Sequence, residues 1–330
     1  MKEQGVAVVI GAGTMGGGIA ADLANAGWTV YLLDQSVELA EAGKARVVKA
    51  SPPLLYLSEF AERIVLGSSE ELGVCANADW VIEAIAENLA LKQALFTRLE
   101  SVVGPETLVT SNTSGLSLTA MSKHCGMAFR RRFFGTHFFN PPRYLKLVEV
   151  VPTPATNSAV LQEFIAGLEA QTNHRVVIAK DTPGFISTRL WITHLLDTIH
   201  TAIEQNIPVE VVDALTGPAL GRPRSATFRM ADLVGLDIIA SIAKNQYEAL
   251  PHDPLRERLR LPDALKTLLA EGRTGQKSGA GFYKREGKDI LALDWATLTY
   301  RPRDETITDA GKALIATVLP RFCDYAASIA

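Results

Sequence analysis

The chain of 330 residues is poor in cysteine, and its three cysteines are scattered. Cys75, Cys125 and Cys323 lie far apart, and none forms a CxxC or a similar metal-ligand spacing. The pattern argues against a zinc site and against a disulfide framework, and it is typical of a reducing compartment. We therefore expect a protein without a bound metal.

The sequence also lacks a long apolar run and an excess of one charge. No apolar stretch reaches the ~18 residues that a membrane span needs, and the net charge of −3 provides no general attraction to nucleic acid or anionic lipid. The first strand-like run begins at Val6, which leaves no room for a signal or transit peptide. These absences predict a cytoplasmic globular protein with neither a nucleic-acid nor a membrane partner, and the length predicts two domains.

What the first half of the sequence does contain is an alternation of strand and helix patterns. Apolar, β-branched runs typical of buried strands alternate with helical patterns, so we expect a doubly wound, mostly parallel α/β sheet. The runs RFFGTHFF and LKLVEVV, joined by NPPRY, predict an antiparallel hairpin at the end of this sheet. After Pro183 almost only helical periodicity remains, which predicts an all-α domain. The predicted strands also include 6–10, 29–33, 80–85, 108–112 and 175–179, and the predicted helices include 89–100 and 158–170.

We expect three segments along the chain. They are a dinucleotide-binding domain over 1–180, a helical substrate and dimerisation domain over 181–303, and a C-terminal helical segment over 304–330. The last segment carries an apolar stripe that must be buried, so we expect it to pack across a dimer or to begin a second helical domain. The stripe consists of Leu314, Ile315, Val318, Leu319, Phe322, Tyr325 and Ile329.

A glycine motif between the first strand and the first helix predicts a dinucleotide site. In G-x-G-x-x-G, Gly11 permits a tight turn, Gly13 lets the backbone approach a pyrophosphate, and Gly16 lets the helix pack closely on the sheet. The N-terminus of the helix offers free N–H groups to the phosphates. We expect the cofactor to contact the whole loop, which is Gly11, Ala12, Gly13, Thr14, Met15 and Gly16.

An acidic residue indicates which dinucleotide is bound. Asp34 ends the second strand 23 residues after Gly11, close to the ~20 expected for a ribose contact. A carboxylate there accepts hydrogen bonds from both ribose hydroxyls and repels a 2′-phosphate, so NAD is favoured over NADP. The alternative is a glycine-rich turn without a ligand, and the strand, the helix and the acid together argue against it.

The predicted hairpin brings a histidine opposite a glutamate. If it turns about Arg143, His137 lies opposite Glu149, and directly opposed Cβ atoms are ~4.5–5.5 Å apart. Such a carboxylate fixes the histidine tautomer and stabilises the imidazolium, which suits a general base that removes a hydroxyl proton while hydride leaves. The alternative is a histidine packed beside Phe138 and Phe139 with a solvated glutamate, because the register is assumed.

Several strings, spread from residue 6 to about residue 300, resemble the L-3-hydroxyacyl-CoA dehydrogenases. They are VIEAIAENLALK (81–92), SNTSGLSL (111–118), GTHFFNPPRYLKLVEV (135–150), KDTPGF (180–185) and SGAGFYK (278–284). The chain looks most like the dehydrogenase part of bacterial proteins that also carry an enoyl-CoA hydratase. The resemblance implies oxidation of the 3-hydroxyl of a (3S)-3-hydroxyacyl-CoA by NAD in fatty-acid β-oxidation. It also implies a homodimer that is fused to or associated with an enoyl-CoA hydratase.

The resemblance also implies roles for single residues. His137 matches the catalytic base, Glu149 matches its acidic partner, and Ser114 matches the serine that holds the substrate 3-oxygen. Asn140 matches an asparagine of the nicotinamide and substrate pocket. Without the family, Ser114 would pass as a turn or N-cap serine. The residues that match cofactor contacts, and would otherwise pass as solvated charges, are Glu87, Lys92 and Lys284.

Two features depart from the family. Relatives usually read PGFIxNR, with the asparagine near the substrate thioester, whereas PGFISTR places Thr188 in that slot. Many relatives also carry a lysine-rich helix after the second strand that meets the coenzyme A phosphates, and this chain instead has ASPPLLYLSEF (50–60). The nearby basic residues that would have to compensate for the missing lysines are Arg46, Lys49 and Arg63.

Two other functions fit parts of the pattern. A β-hydroxyacid dehydrogenase that acts on a free acid generally uses a lysine base at the start of the helical domain, whereas this chain offers His137 with Glu149. A non-catalytic dinucleotide-binding protein of the crystallin kind would retain the fold, and the Thr188 departure keeps that alternative open. It predicts cofactor binding without turnover.

Thr188 provides a direct test. We expect it at the start of the first helix of the second domain, where its hydroxyl can be diverted to a carbonyl three or four residues back. A lost hydrogen bond to the thioester oxygen is worth ~0.5–1.5 kcal/mol, so Thr188→Asn should raise kcat/KM for a 3-hydroxyacyl-CoA about threefold or more, up to about a hundredfold with a charged acceptor. NAD binding should not change. A flat or lower kcat/KM, with the fold intact by circular dichroism, would retire the idea of a weakened anchor.

Overall fold

The computed structural model describes residues 4–329, and the chain divides into two compact units. The first unit ends at Ile186 and the second begins at Ser187, slightly later than the boundary expected at residue 180. The reason is that the loop 180–186 is bonded to the first unit: Asp181 accepts from the backbone N–H of Leu118, and Ile186 donates to Glu149. Residues 1–3 and 330 of the expected segments lie outside the described residues.

Within the described residues, an eight-stranded sheet forms the centre of the first unit. Its strands are β1 Val6–Ile10, β2 Thr29–Asp34, β3 Ile64–Ser68, β4 Trp80–Glu83, β5 Leu108–Ser111, β6 Phe133–Phe138, β7 Leu147–Pro152 and β8 Arg175–Ile178. The strand order is β3-β2-β1-β4-β5-β6-β7-β8. Neighbours run parallel except β6 and β7, which pair antiparallel. The predicted doubly wound sheet with a hairpin near one end is therefore confirmed.

Helices cover both faces of this sheet. Alternation along β1 shows why: Ala7 and Val9 join one apolar cluster, and Val8 and Ile10 join another on the opposite face. Strands buried on both faces read as continuous apolar runs, which made β1, β4 and β5 recognisable in the sequence, whereas β3, with one buried residue, was not predicted. The helices are α1 Thr14–Asn25, α2 Val37–Val48, α3 Leu89–Glu100, α4 Leu118–Met121, α5 Met127–Arg130 and α6 Ser158–Thr172.

The second unit is mainly helical, and it also contains a small antiparallel sheet that the all-α expectation did not include. The sheet was missed because its strands have only three to five residues, and two of them are largely exposed and polar. None of the helices within residues 4–329 is long and apolar enough to cross a membrane. The elements are α7 Ser187–Glu204, α8 Val209–Thr216, α9 Phe228–Val234, α10 Leu236–Ala249, α11 Asp263–Ala270, β9 Tyr283–Glu286, β10 Asp289–Leu293, β11 Tyr300–Pro302 and α12 Asp309–Ile329.

Three of the seven residues in the apolar stripe of α12 are buried inside the second unit, and the other four are half-buried. Leu314, Val318 and Tyr325 are at most 3% exposed, and the helix packs on α7 and α8. A Cβ on Gly311 would lie 2.7 Å from Val211, so this glycine allows α12 to approach α8 closely. The structure thus places 304–329 in the same unit as α7 and α8, not in the separate segment that we expected. For Leu314, Val318 and Tyr325, this packing provides the burial that we expected from a dimer partner or an additional domain.

Leu314 gives a test of this packing. Leu314→Ala should lower the free energy of unfolding by ~2–5 kcal/mol, because the side chain is 0% exposed in the core of the second unit. Lys312→Ala, on the same helix with a 64% exposed side chain, should change it by less than ~0.5 kcal/mol. Denaturant titration followed by circular dichroism measures both. An equally small effect of the two substitutions would show that α12 does not pack in solution as it does here.

Candidate active site

The glycine loop between β1 and α1 has the geometry that its motif predicts. Gly11 has a φ of +106°, and a Cβ there would lie 2.4 Å from the carbonyl oxygen of Ala84. A Cβ on Gly16 would lie 1.8 Å from the carbonyl oxygen of Gly11, so α1 can sit this close only with glycine. A Cβ on Gly13 would meet nothing within 4 Å, which leaves open space beside the backbone. The residues present therefore fit a pyrophosphate at the N-terminus of α1.

Asp34 lies at the carboxyl end of β2 and is bonded to the glycine loop. Its Oδ2 accepts from the backbone N–H of Ala12 at 2.7 Å. Arg46 of α2 donates to the carbonyl oxygen of Ala12 at 2.7 Å, so the backbone of Ala12 is held through both its N–H and its carbonyl. Arg63 donates to the carbonyl of Ala24 at 2.7 Å. Two of the basic residues named as substitutes for the lysine-rich helix thus bond to backbone.

The β6–β7 hairpin pairs His137 directly with Glu149, so the predicted register is confirmed. Nδ1 of His137 lies 2.7 Å from Oε2 of Glu149, and the two residues are 6% and 1% exposed. The alternative of a solvated glutamate is therefore wrong. With the carboxylate as acceptor, Nδ1 carries the proton and Nε2 keeps a lone pair. No partner for Nε2 is found within residues 4–329, and the rings of Phe139 and Phe185 lie at centroid separations of 4.9 and 5.9 Å.

Further hydrogen bonds fix the surroundings of this pair. Oε1 of Glu149 accepts from the backbone N–H of Ile186 at 3.0 Å, which holds the loop after β8 against the hairpin. Asn112, in the loop after β5, accepts from the backbone N–H of Phe138 at 2.9 Å. Asp181 accepts from backbone N–H groups at the start of α4. Three segments that are distant in the sequence therefore meet beside the histidine.

Ser114 is exposed in the loop after β5. Its backbone N–H donates to Oε1 of Glu87 at 3.1 Å, and the hydroxyl of Thr113 donates to the same oxygen at 2.5 Å. The Ser114 hydroxyl itself makes no hydrogen bond to any part of the chain that the structure describes. Glu87, for which we expected a cofactor contact, thus holds the loop of Ser114.

Glu83 is a buried acid that the sequence reasoning missed. It ends β4 and is 0% exposed, and its Oε1 lies 2.5 Å from Nζ of Lys92, which is 1% exposed. Its Oε2 accepts from the hydroxyl of Ser111 at 2.5 Å. Burial raises the pKa of the Glu83 carboxyl, and the charge and hydrogen bond of Lys92 oppose that rise. The position at the carboxyl end of a buried parallel strand was the only signal in the sequence.

Asn140 follows β6 and is exposed. The loop that contains Asn140 and Pro142 lies against α1, since a Cβ on Gly18 of this helix would be 2.9 Å from Cδ of Pro142. Thr14 and Met15 are the first residues of α1. The residues expected around a nicotinamide thus belong to segments that contact each other.

Two predicted site residues belong to the second unit. Thr188 lies in the first turn of α7, as predicted. Its hydroxyl makes no hydrogen bond within residues 4–329, so the expected diversion to its own helix is not seen. Lys284 lies in β9, where Nζ is 3.6 Å from Glu286 and 5.9 Å from the ring centre of Tyr300.

Within residues 4–329, no group of three or more His, Cys, Asp or Glu side chains could hold a metal ion.

Family models account for both units. Residues 6–182 match the NAD binding domain of 3-hydroxyacyl-CoA dehydrogenase, and residues 184–285 match the C-terminal domain of the same family. The chain belongs to the 3-hydroxyacyl-CoA dehydrogenase family. The resemblance found in the sequence is confirmed, and with it an NAD-dependent dehydrogenase.

Individual relatives agree with this assignment. A probable 3-hydroxyacyl-CoA dehydrogenase of Deinococcus radiodurans is 41% identical over 304 residues, which cover 90% of this dehydrogenase and 87% of the relative. One of Bacillus subtilis is 39% identical over 93% of the chain, and the chain spans only 42% of its length. The crystal structure of 3-hydroxybutyryl-CoA dehydrogenase from Escherichia coli matches with a TM-score of 0.75 at 30% identity, over 94% of this chain and 63% of that one.

The position of Asp34 predicts the cofactor preference of this dehydrogenase. We expect kcat/KM with NAD to exceed that with NADP at least tenfold, or ~1.4 kcal/mol, because the carboxylate would face a 2′-phosphate. Asp34→Asn should lower the ratio of kcat/KM with NAD to kcat/KM with NADP, because the negative charge is lost. The amide oxygen can still accept the hydrogen bond from the backbone N–H of Ala12. Glu41→Gln, an exposed acid on α2, should leave the ratio unchanged. Equal kcat/KM values for the two cofactors in the wild type would remove Asp34 from the ribose site.

Proposed function

We propose that this dehydrogenase oxidises the 3-hydroxyl of a (3S)-3-hydroxyacyl-CoA to a 3-oxo group in fatty-acid β-oxidation. The observation that carries the proposal is the buried His137–Glu149 pair, which leaves Nε2 of the histidine without a protein partner among the described residues. Asn112 bonds the hairpin of His137 to the loop after β5, and the hydroxyl of Ser114 in that loop also has no partner among the described residues. A base and a hydroxyl donor in this arrangement suit the oxidation of an alcohol without a metal.

The chemistry follows from these groups. NAD, when bound, supplies the hydride acceptor for C3 of the substrate. Nε2 of His137 takes the hydroxyl proton, so that the alcohol becomes a ketone and the imidazole becomes an imidazolium. The carboxylate of Glu149, 2.7 Å from Nδ1, stabilises that positive charge and keeps the ring oriented. The Ser114 hydroxyl holds the 3-oxygen, and the rings of Phe139 and Phe185 limit the access of water to the base.

We propose the remaining roles from the resemblance. Asn140 would shape the nicotinamide and substrate pocket, and Thr188 would meet the thioester. Glu87, Lys92 and Lys284 would contact the cofactor. The position of Lys92 between two carboxylates supports a fixed cation at the carboxyl ends of the strands.

We further propose a cytoplasmic homodimer that is fused to or associated with an enoyl-CoA hydratase. Three free thiols support a reducing compartment. Leu233 and Ile238 of the second unit are 56% and 45% exposed, and they support a surface that a second copy covers. The longer Bacillus subtilis relative supports a further domain in such proteins. Light scattering of the purified chain tests the dimer, and a monomeric mass would exclude it.

His137→Gln tests the proposed base. We expect kcat for the reduction of acetoacetyl-CoA to fall by about 10²–10⁴, the usual contribution of general acid–base catalysis, while NADH affinity stays unchanged. Glu149→Gln should reduce kcat less and should shift its pH dependence, because the amide keeps an acceptor and loses the charge. His124→Gln, an exposed histidine of the same unit, should have no effect. Retention of a tenth or more of the wild-type activity in His137→Gln would exclude His137 as the base.

A further inference from the structure

We infer that Glu83 is a positioning residue that couples the cofactor side of the site to the substrate side. The inference rests on the proposed function, because it takes Lys92 as a cofactor contact and Ser114 as a substrate contact. Glu83 itself is 0% exposed, and both of its oxygens are engaged by the protein. It therefore acts through its neighbours and not on a ligand.

Five side chains form a closed ring of contacts in the first unit. Glu83 bonds to Lys92 through Oε1 and to the Ser111 hydroxyl through Oε2, each at 2.5 Å. Lys92 lies 3.3 Å from Oε2 of Glu87, and Oε1 of Glu87 accepts from the hydroxyl of Thr113 at 2.5 Å. The backbone N–H of Thr113 donates to the Ser111 hydroxyl at 3.2 Å, which closes the ring.

The ring reaches the substrate serine through Glu87. The oxygen that accepts from Thr113 also accepts from the backbone N–H of Ser114, at 3.1 Å. The other oxygen of the same carboxylate faces Lys92. The Glu87 carboxylate thus contacts Lys92 with one oxygen and the loop of Ser114 with the other. A displacement on either side must move the second contact.

The charges explain why Glu83 controls the position of the Glu87 carboxylate. Lys92 is 1% exposed and needs a close counter-charge, because water cannot solvate it there. Glu83 supplies that charge from a fully buried position, whereas the side chain of Glu87 is 43% exposed. If Glu83 were neutral, Lys92 would draw the more exposed carboxylate of Glu87 toward itself. Glu87 would then release Thr113 and Ser114, and the serine would lose its fixed position.

Binding of the two ligands should therefore be coupled, and the coupling should depend on Glu83. Binding of NAD next to Lys92 fixes the positions of the five side chains in the ring of contacts. The Ser114 loop is then ordered when acetoacetyl-CoA binds. Linkage requires the reverse effect on NAD to be equal. NAD and acetoacetyl-CoA are both oxidised, so the ternary complex does not turn over and its affinities can be measured at equilibrium.

Isothermal titration calorimetry with these two ligands tests the inference. In the wild type, saturating NAD should tighten acetoacetyl-CoA binding about tenfold, within the usual range of such couplings. Glu83→Gln should reduce the factor to about twofold or less, and Ser111→Ala, which keeps the ion pair, should reduce it in part. Hydrogen exchange at residues 112–116 should be faster in both variants. Asp22→Asn is the matched control, because Asp22 is 3% exposed and pairs with His174 and Lys146 elsewhere in the same unit.

A double variant separates stability from coupling. Glu83→Gln combined with Lys92→Met removes both buried charges, so its melting temperature should recover relative to Glu83→Gln alone while the coupling stays lost. If Glu83→Gln does not fold, Ser111→Ala decides. The inference fails if the wild type shows no coupling, if the Glu83 and Ser111 variants keep the wild-type factor, or if Asp22→Asn loses it equally. Absence of wild-type turnover with acetoacetyl-CoA and NADH would instead overturn the proposed function.

Discussion

The buried carboxylate of Glu149 makes one hydrogen bond with each of its two oxygens, and the arrangement of the first unit depends on both bonds. One oxygen bonds to His137 across the β6–β7 ladder, and the other bonds to the backbone of Ile186 at the end of the unit. A carboxylate that is 1% exposed must satisfy both oxygens within the protein, because unpaired buried charge is costly. The orientation of the proposed base and the path of the chain leaving the sheet are thus fixed by one group.

The antiparallel step in the sheet makes this pairing possible. Parallel neighbours need a long crossover, whereas β6 and β7 are joined by a short loop and can face each other residue by residue. The reversal also brings the loop of Asn140 and Pro142 back toward α1, where Gly18 leaves room for the proline ring. Helix α1, which follows the dinucleotide loop, and the histidine hairpin therefore meet although more than a hundred residues separate them.

The parts of the site that could be predicted from the sequence are those that local rules determine. The hairpin register followed from a symmetric turn about Arg143, and the glycine loop followed from its spacing between a strand and a helix. The ion pair of Glu83 and Lys92 could not be predicted, since neither charge is marked as buried by its neighbours in the sequence. The small sheet was missed because strands of three to five residues carry too little periodicity. The stripe on α12 predicted that this face needs burial, and only the fold shows that the helix packs on α7 and α8 and buries three of the seven stripe residues.

The hydrogen bond from Ala12 to Asp34 has a consequence for redesign of cofactor use. The acid that would discriminate against a 2′-phosphate is also a brace for the loop that would hold the pyrophosphate. Replacement of Asp34 by a small or basic side chain that accommodates the 2′-phosphate of NADP would remove the acceptor for the Ala12 N–H. Arg46 would still donate to the carbonyl oxygen of the same residue. A single substitution at Asp34 that removes the acceptor therefore needs a second substitution that restores one for the Ala12 N–H, whereas a side chain that keeps an acceptor oxygen, such as asparagine, does not.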